Sequence, residues 1–189
     1  MRLILASASA RRRELLEAAG VLFHADPVAA DETRMPGEPP EVYVARVARA
    51  KVHAGRLRHP ADVVLGADTV VVVDNAVLGK PASDEEAAAM LARLSGREHE
   101  VLTGVSVAWP GHERTAVERT RVWFAPLGDE EIRRYVATGE PTDKAGAYAI
   151  QGLASKFVVR IEGSYSNVVG LPVATVLQFL RETGFLPDD

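Results

Sequence analysis

Apolar and polar positions alternate along this chain in a way that predicts strands and helices in turn. A short apolar run, Leu3 to Ala6, opens as a strand, and Ser9 is placed to cap a helix that Gly20 ends. Val21 to Ala29 reads as a short strand or loop. Pro36, Gly37, Pro39 and Pro40 then break the chain before a helical pattern from Glu41 to about Leu57. Its apolar positions Val44, Val47, Ala48 and Val52 recur at helical spacing, with Lys51 near that face and Arg46 and Arg49 on the solvated side. Ala61 to Ala67 predicts a strand that stops at Gly66-Ala67-Asp68-Thr69. A hairpin follows, Val70 to Val73 and Ala76 to Leu78, turned at Asp74-Asn75.

Ser83 and Glu86 form a capping-box signature for a helix that ends at Gly96. Val101 to Trp109 and Glu113 to Phe124 read as antiparallel strands joined at Pro110-Gly111. Asp129 opens a helix stopped by Gly139, Ala147 to Ile150 and Phe157 to Ile161 read as strands, and Pro172 suits the first turn of a closing helix. The rhythm is not a strict strand–helix–strand repeat. It predicts an α/β fold with a mixed, twisted sheet flanked by helices. One domain over residues 1–189 is expected, or two tightly joined lobes around one cleft, with 125–128 as the lobe junction.

Composition narrows the chemistry. The 189 residues contain no cysteine, which removes disulfides, thiolate catalysis and cysteine metal sites. Hydrophobic residues make up 47% and aromatic ones only 6%, so the core is aliphatic. The formal net charge of −4 and the lack of a long basic stripe argue against nucleic acid as a partner. No segment approaches a membrane span, and the cytoplasm is the default compartment.

Several residues invite chemistry. Arg11 and Arg12 lie on the first turn of the first helix, where exposed N–H groups attract anions, although a solvated basic helix start would look the same. Asp68 follows a strongly apolar strand and either caps the next turn or holds a divalent cation. Glu32, in a loop-forming segment, is its natural companion or merely solvated; two carboxylates with phosphate oxygens and water suit Mg²⁺ or Mn²⁺. Lys51 either pairs with an anion or snorkels to solvent. Lys80, between Gly79 and Pro81, is a fixed cation. Gln151 offers donor and acceptor together, as reading a base edge requires. The five histidines are scattered and read as surface or structural residues.

Taken as a set, Ala6-Ser-Ala-Ser-Ala-Arg-Arg12, Leu65-Gly-Ala-Asp-Thr69 with Gly79-Lys-Pro81, Asp143-Lys-Ala-Gly-Ala-Tyr-Ala-Ile-Gln-Gly152, Glu162-Gly-Ser-Tyr165 and Val168-Val-Gly-Leu-Pro172 resemble the Maf family over almost the whole chain. That resemblance implies a nucleoside triphosphate pyrophosphatase with a mixed α/β cleft similar to that of inosine triphosphate pyrophosphatase, frequently a homodimer. It implies that Ser7, Ser9, Arg11 and Arg12 bind phosphate and that Glu32 and Asp68 hold the metal. It also makes Asp68, Lys80 and Arg12 catalytic, Lys51 functional, and Thr69 and Gln151 substrate-recognising. The Gly-Ala-Tyr-x-Ile-Gln-Gly form resembles the subgroup acting on dTTP and UTP, rather than the one preferring 7-methyl-GTP. Ala10 and Ala149 depart from the family's usual proline and glycine. The expected reaction is attack of water at the α-phosphorus, giving monophosphate and pyrophosphate. The alternatives are release of terminal orthophosphate and a non-enzymatic nucleotide-binding regulator of septation.

Overall fold

The computed structural model describes residues 1–186; the last three positions of the expected 1–189 span lie outside the described residues. In chain order it contains β1 (Leu3–Leu5), α1 (Ala10–Ala18), β2 (His24–Ala25), α2 (Pro40–Arg58), β3 (Val63–Val73), β4 (Ala76–Leu78), α3 (Asp84–Leu94), β5 (Glu98–Trp109), β6 (His112–Phe124), α4 (Asp129–Val136), β7 (Val158–Glu162), α5 (Tyr165–Val169) and α6 (Val173–Glu182). The sheet runs β2-β1-β3-β5-β6-β7, with β4 paired to β3. β1 is parallel to β2 and β3, while the β3–β4 and β6–β7 pairs are antiparallel. This is the mixed α/β sheet that the patterning predicts. Among the described residues, no helix is long and apolar enough to cross a membrane.

The chain divides into two compact units. The first holds residues 1–69, 103–118 and 170 onward; the second holds 70–102 and 119–169. The boundaries therefore fall within β3, β5 and β6 and between α5 and α6, and the loop 125–128 lies inside the second unit. The first unit has an aliphatic core in which Leu3 and Leu5 of β1 pack with Leu16, Val63, Leu65, Val105, Val107, Leu171 and Leu180. Two glycines let α2 lie directly on the strands. A Cβ at Gly66 would stand 2.7 Å from the Ala48 carbonyl oxygen, and one at Gly104 would stand 2.2 Å from that of Val44. The second unit adds an aromatic cluster to its aliphatic core, where His99, Phe124, Tyr148, Phe157 and Tyr135 meet edge to face.

Four expectations need correction. The strand expected to stop at Gly66-Ala67-Asp68-Thr69 runs on through Asp68 and Thr69 to Val73, with Asp68 matched by a cationic partner on α2. The Ser83 cap forms, but Glu86 returns its bond to the N–H of Ala82 rather than to that of Ser83. Residues 147–150 are not a strand: Ala147 is left-handed (φ 60°) and closes a 3₁₀ turn at Ala145–Ala147. Pro172 is the N-cap of α6 rather than a residue of its first turn.

Candidate active site

The opening motif folds as a serine-braced helix start. Ser9, with extended backbone, caps α1 by accepting the N–H of Arg12 at 3.4 Å. Ser7 Oγ accepts from the Ser9 N–H (3.2 Å) and from Arg12 Nη1 (3.1 Å). The Arg12 guanidinium is buried, and it also donates from Nε to the Gly170 carbonyl (2.8 Å) and from Nη2 to Thr69 Oγ1 (3.1 Å). Thr69 is braced in turn by Thr103 Oγ1 (2.9 Å) and the Gly170 carbonyl (3.3 Å). Burial lowers the Arg12 pKa, and the charge of Asp68 opposes that shift. Arg11, the preceding residue of the helix, is half-buried and adds a like charge beside Arg12.

A second cluster forms where α2 crosses β3. Lys51 Nζ lies 2.9 Å from Asp68 Oδ1 and 2.9 Å from Glu32 Oε1, and donates to the Ala67 carbonyl at 3.4 Å. The three differ in burial. The side chains of Lys51 and Asp68 are 9% and 11% exposed, whereas that of Glu32 is 54% exposed. A buried ammonium thus has one buried carboxylate and one solvated carboxylate. Lys51 does not snorkel, and Asp68 does not act as a turn cap.

The loop carrying Glu32 is tied to α2 by residues whose part in the site the patterning does not reveal. Tyr43 donates its hydroxyl to the Glu32 carbonyl (2.9 Å), and its pKa is pushed up to about 12 by burial, then by the charges of Asp68 and Glu32. Arg46, expected on the solvated side, grips Glu38 with two bonds (2.7 and 2.9 Å) and donates to the Thr33 carbonyl (2.9 Å). That fork holds the Glu38 carboxyl down at about 2. The only signal in the sequence is a tyrosine and an arginine three apart on one helix, and nothing local says what they reach.

The structure brings Ser7, Ser9, Arg11, Arg12, Glu32, Lys51, Asp68 and Thr69 into the first unit, as two adjoining networks linked by the Asp68-Thr69 peptide and by the pull of both carboxylates on Arg12. Lys80 and Gln151 belong to the second unit, and both are exposed. There the Gly79 carbonyl next to Lys80 accepts the Gly146 N–H (3.0 Å), which joins the lysine turn to the late glycine-rich motif. Among the described residues, no group of three or more acidic or histidine side chains converges. Glu32 and Asp68 nevertheless bring hard carboxylate oxygens together around Lys51, donors of the type a magnesium-like ion takes.

The chain is similar to known proteins. Residues 2–183 match the family model described as Maf-like protein. The chain is similar to the dTTP/UTP pyrophosphatase of Koribacter versatilis (strain Ellin345), at 51% identity over 186 residues, 98% of this chain and 96% of that protein. It is similar to the dTTP/UTP pyrophosphatase of Anaeromyxobacter sp. (strain Fw109-5), at 55% over 188 residues, 97% of this chain and 90% of that protein. In three dimensions it resembles the Staphylococcus aureus Ham1 protein with a TM-score of 0.55 and 14% identity, covering 97% of this chain and 100% of that one. The last likeness concerns the fold alone.

Proposed function

We propose, from the premise that this chain belongs to the Maf-like protein family, that it is a nucleoside triphosphate pyrophosphatase hydrolysing dTTP and UTP to the monophosphate and pyrophosphate. The relatives at 51% and 55% identity carry that activity in their names. One observation carries the reading: a buried lysine gathers Asp68 and Glu32 directly beside a serine–arginine helix start. Cations and acids side by side suit a polyphosphate, whereas a pure anion site would exclude the carboxylates.

In this reading the opening of α1 holds the phosphates. Ser7 Oγ already accepts two N–H donors, so its own proton is left to donate to a phosphate oxygen. Arg12 is fixed by Ser7, Thr69 and Gly170, and acts as a preorganised charge that needs no reordering when negative charge builds on the leaving group. Arg11 supplies a more accessible cation. Glu32 and Asp68 would hold a divalent cation such as Mg²⁺ or Mn²⁺, which when bound neutralises phosphate charge and acidifies nearby water. Asp68 orients the attacking water and takes its proton, and Lys51 stands beside the carboxylate as its counter-charge. On the motif resemblance, Lys80 binds phosphate and Thr69 and Gln151 recognise substrate; Thr69 also holds Arg12, and the Gln151 amide suits contact with the base edge. A homodimer is the expected assembly.

Turnover of dTTP with separate assay of pyrophosphate and orthophosphate tests the reaction. Pyrophosphate in equal amount to monophosphate is expected; orthophosphate would make the protein a terminal phosphatase instead. Asp68→Asn should lower turnover by roughly 10²- to 10⁴-fold with an unchanged far-ultraviolet circular dichroism spectrum. Near-normal turnover would remove Asp68 from the chemistry.

A further inference from the structure

The turn that carries Gln151 is gripped on both flanks by one pair of side chains. Tyr135, on α4, accepts the backbone N–H of Ala149 at its hydroxyl oxygen (3.3 Å) and donates its proton to Glu140 Oε1 (2.8 Å). Glu140 accepts in turn from the N–H of Leu153 at Oε2 (3.0 Å) and from that of Ala154 at Oε1 (3.3 Å). Ala149 precedes Gln151, and Leu153 and Ala154 follow it, so the chain Ala149–Tyr135–Glu140–Leu153/Ala154 closes around the turn.

The clamp is rigid at each contact. The Tyr135 ring is buried and meets Phe157 edge-on at 5.1 Å and 83°. The Glu140 carboxylate caps the otherwise unpaired N–H groups that begin the 3₁₀ turn Leu153–Phe157, a charge-assisted pairing. A Cβ at Gly152 would come within 2.3 Å of Glu140 Oε2, so the carboxylate rests directly on the backbone. The Gly152 N–H bonds the Ala149 carbonyl (3.0 Å), Ile150 is buried beneath, and Gln151 is left exposed.

We infer that Tyr135 and Glu140 are positioning residues whose clamp fixes the backbone that presents Gln151, narrows the orientations its amide takes against a base, and thereby sets discrimination between uracil-type and cytosine bases. The inference rests on the proposed contact of Gln151 with the base. Uracil and thymine offer an acceptor at O4 and a donor at N3, whereas cytosine offers the reverse. A glutamine free to turn its amide over satisfies either pattern, because the flip exchanges donor and acceptor. A glutamine held in one orientation satisfies only one.

The test is kcat/KM for UTP and CTP in the wild type, Tyr135→Phe, Glu140→Gln and Gln151→Ala, with hydrogen exchange followed in the peptide spanning 149–154. Tyr135→Phe and Glu140→Gln should each reduce the UTP-to-CTP ratio roughly threefold to tenfold, chiefly through KM, and speed exchange in that peptide. A merely structural role would lower turnover of both nucleotides together and leave the ratio unmoved. An unchanged ratio in the clamp variants, with a changed one in Gln151→Ala, would overturn the clamp while keeping Gln151 as base reader. An unchanged ratio in Gln151→Ala would overturn the base contact and the inference with it. Should Glu140→Gln fail to fold, the near-isosteric Tyr135→Phe decides alone.

Discussion

Lys51 and Asp68 approach to 2.9 Å across the contact of α2 with β3, both almost wholly withdrawn from solvent. Such a pair contributes little net stability over an apolar replacement, because each charge must first be desolvated. In the proposed reaction its value is chemical: a carboxylate is held in place inside the fold, beside the arginine-bearing helix start.

Removing only the lysine should therefore be costly. Lys51→Met leaves Asp68 without its buried counter-charge and should destabilise by about 3 kcal/mol in urea titrations. The midpoint of thermal unfolding should fall by roughly 2–4 °C for each kcal/mol. The double variant Lys51→Met/Asp68→Asn should recover most of that stability but none of the turnover, which separates the two roles.

Arg12→Lys tests the three-way grip on the guanidinium. An ammonium cannot match Ser7, Thr69 and the Gly170 carbonyl with the same planar fork. A loss of about 1–3 kcal/mol in unfolding free energy is expected, with a raised KM for the triphosphate in steady-state assays.

His99 predicts an acid sensitivity of the second unit. Its ring is buried, shares a hydrogen bond with the Tyr148 hydroxyl (2.9 Å) through Nε2, and leaves Nδ1 without a partner. Burial pushes its pKa from 6.5 down to about 3. Between those values the unfolded chain binds a proton that the folded chain refuses, so stability falls as pH falls through that window. Urea unfolding should lose about 3 kcal/mol from this residue between pH 7 and pH 4. His99→Phe, which suits the aromatic cluster, should flatten that slope.

Gly104→Ala should be far more damaging than its one added methyl suggests. The new Cβ would meet the carbonyl oxygen and carbon of Val44 at 2.2 and 2.4 Å, all backbone atoms that no rotamer change can move. A cost of about 3 kcal/mol is expected from denaturant unfolding, together with reduced turnover because α2 carries Lys51.

What is legible in the sequence is local. The 3.6-residue pattern of Val44, Val47, Ala48 and Val52 locates α2 to within a residue or so at either end, and the Ser83 cap locates α3. The motif residues in the first unit do assemble. Asp68 reads as a strand end because aspartate is a poor strand residue, yet its partner lies 17 positions earlier on another element. Ala147 to Ile150 looks like a strand from its side chains alone, but a left-handed alanine beside Gly146 turns the backbone away. Tyr43, Arg46, Tyr135 and Glu140 act on backbone groups, and backbone groups carry no letter in the sequence.

The unequal shielding of the two acids around Lys51 has a mechanical result. If the loop bearing Glu32 swings away, the ammonium keeps Asp68 as counterion and the departing carboxylate regains its full water shell. No lone charge is stranded in the interior. The interior thus tolerates loss of the Glu32 contact, because the pair beneath it stays fastened.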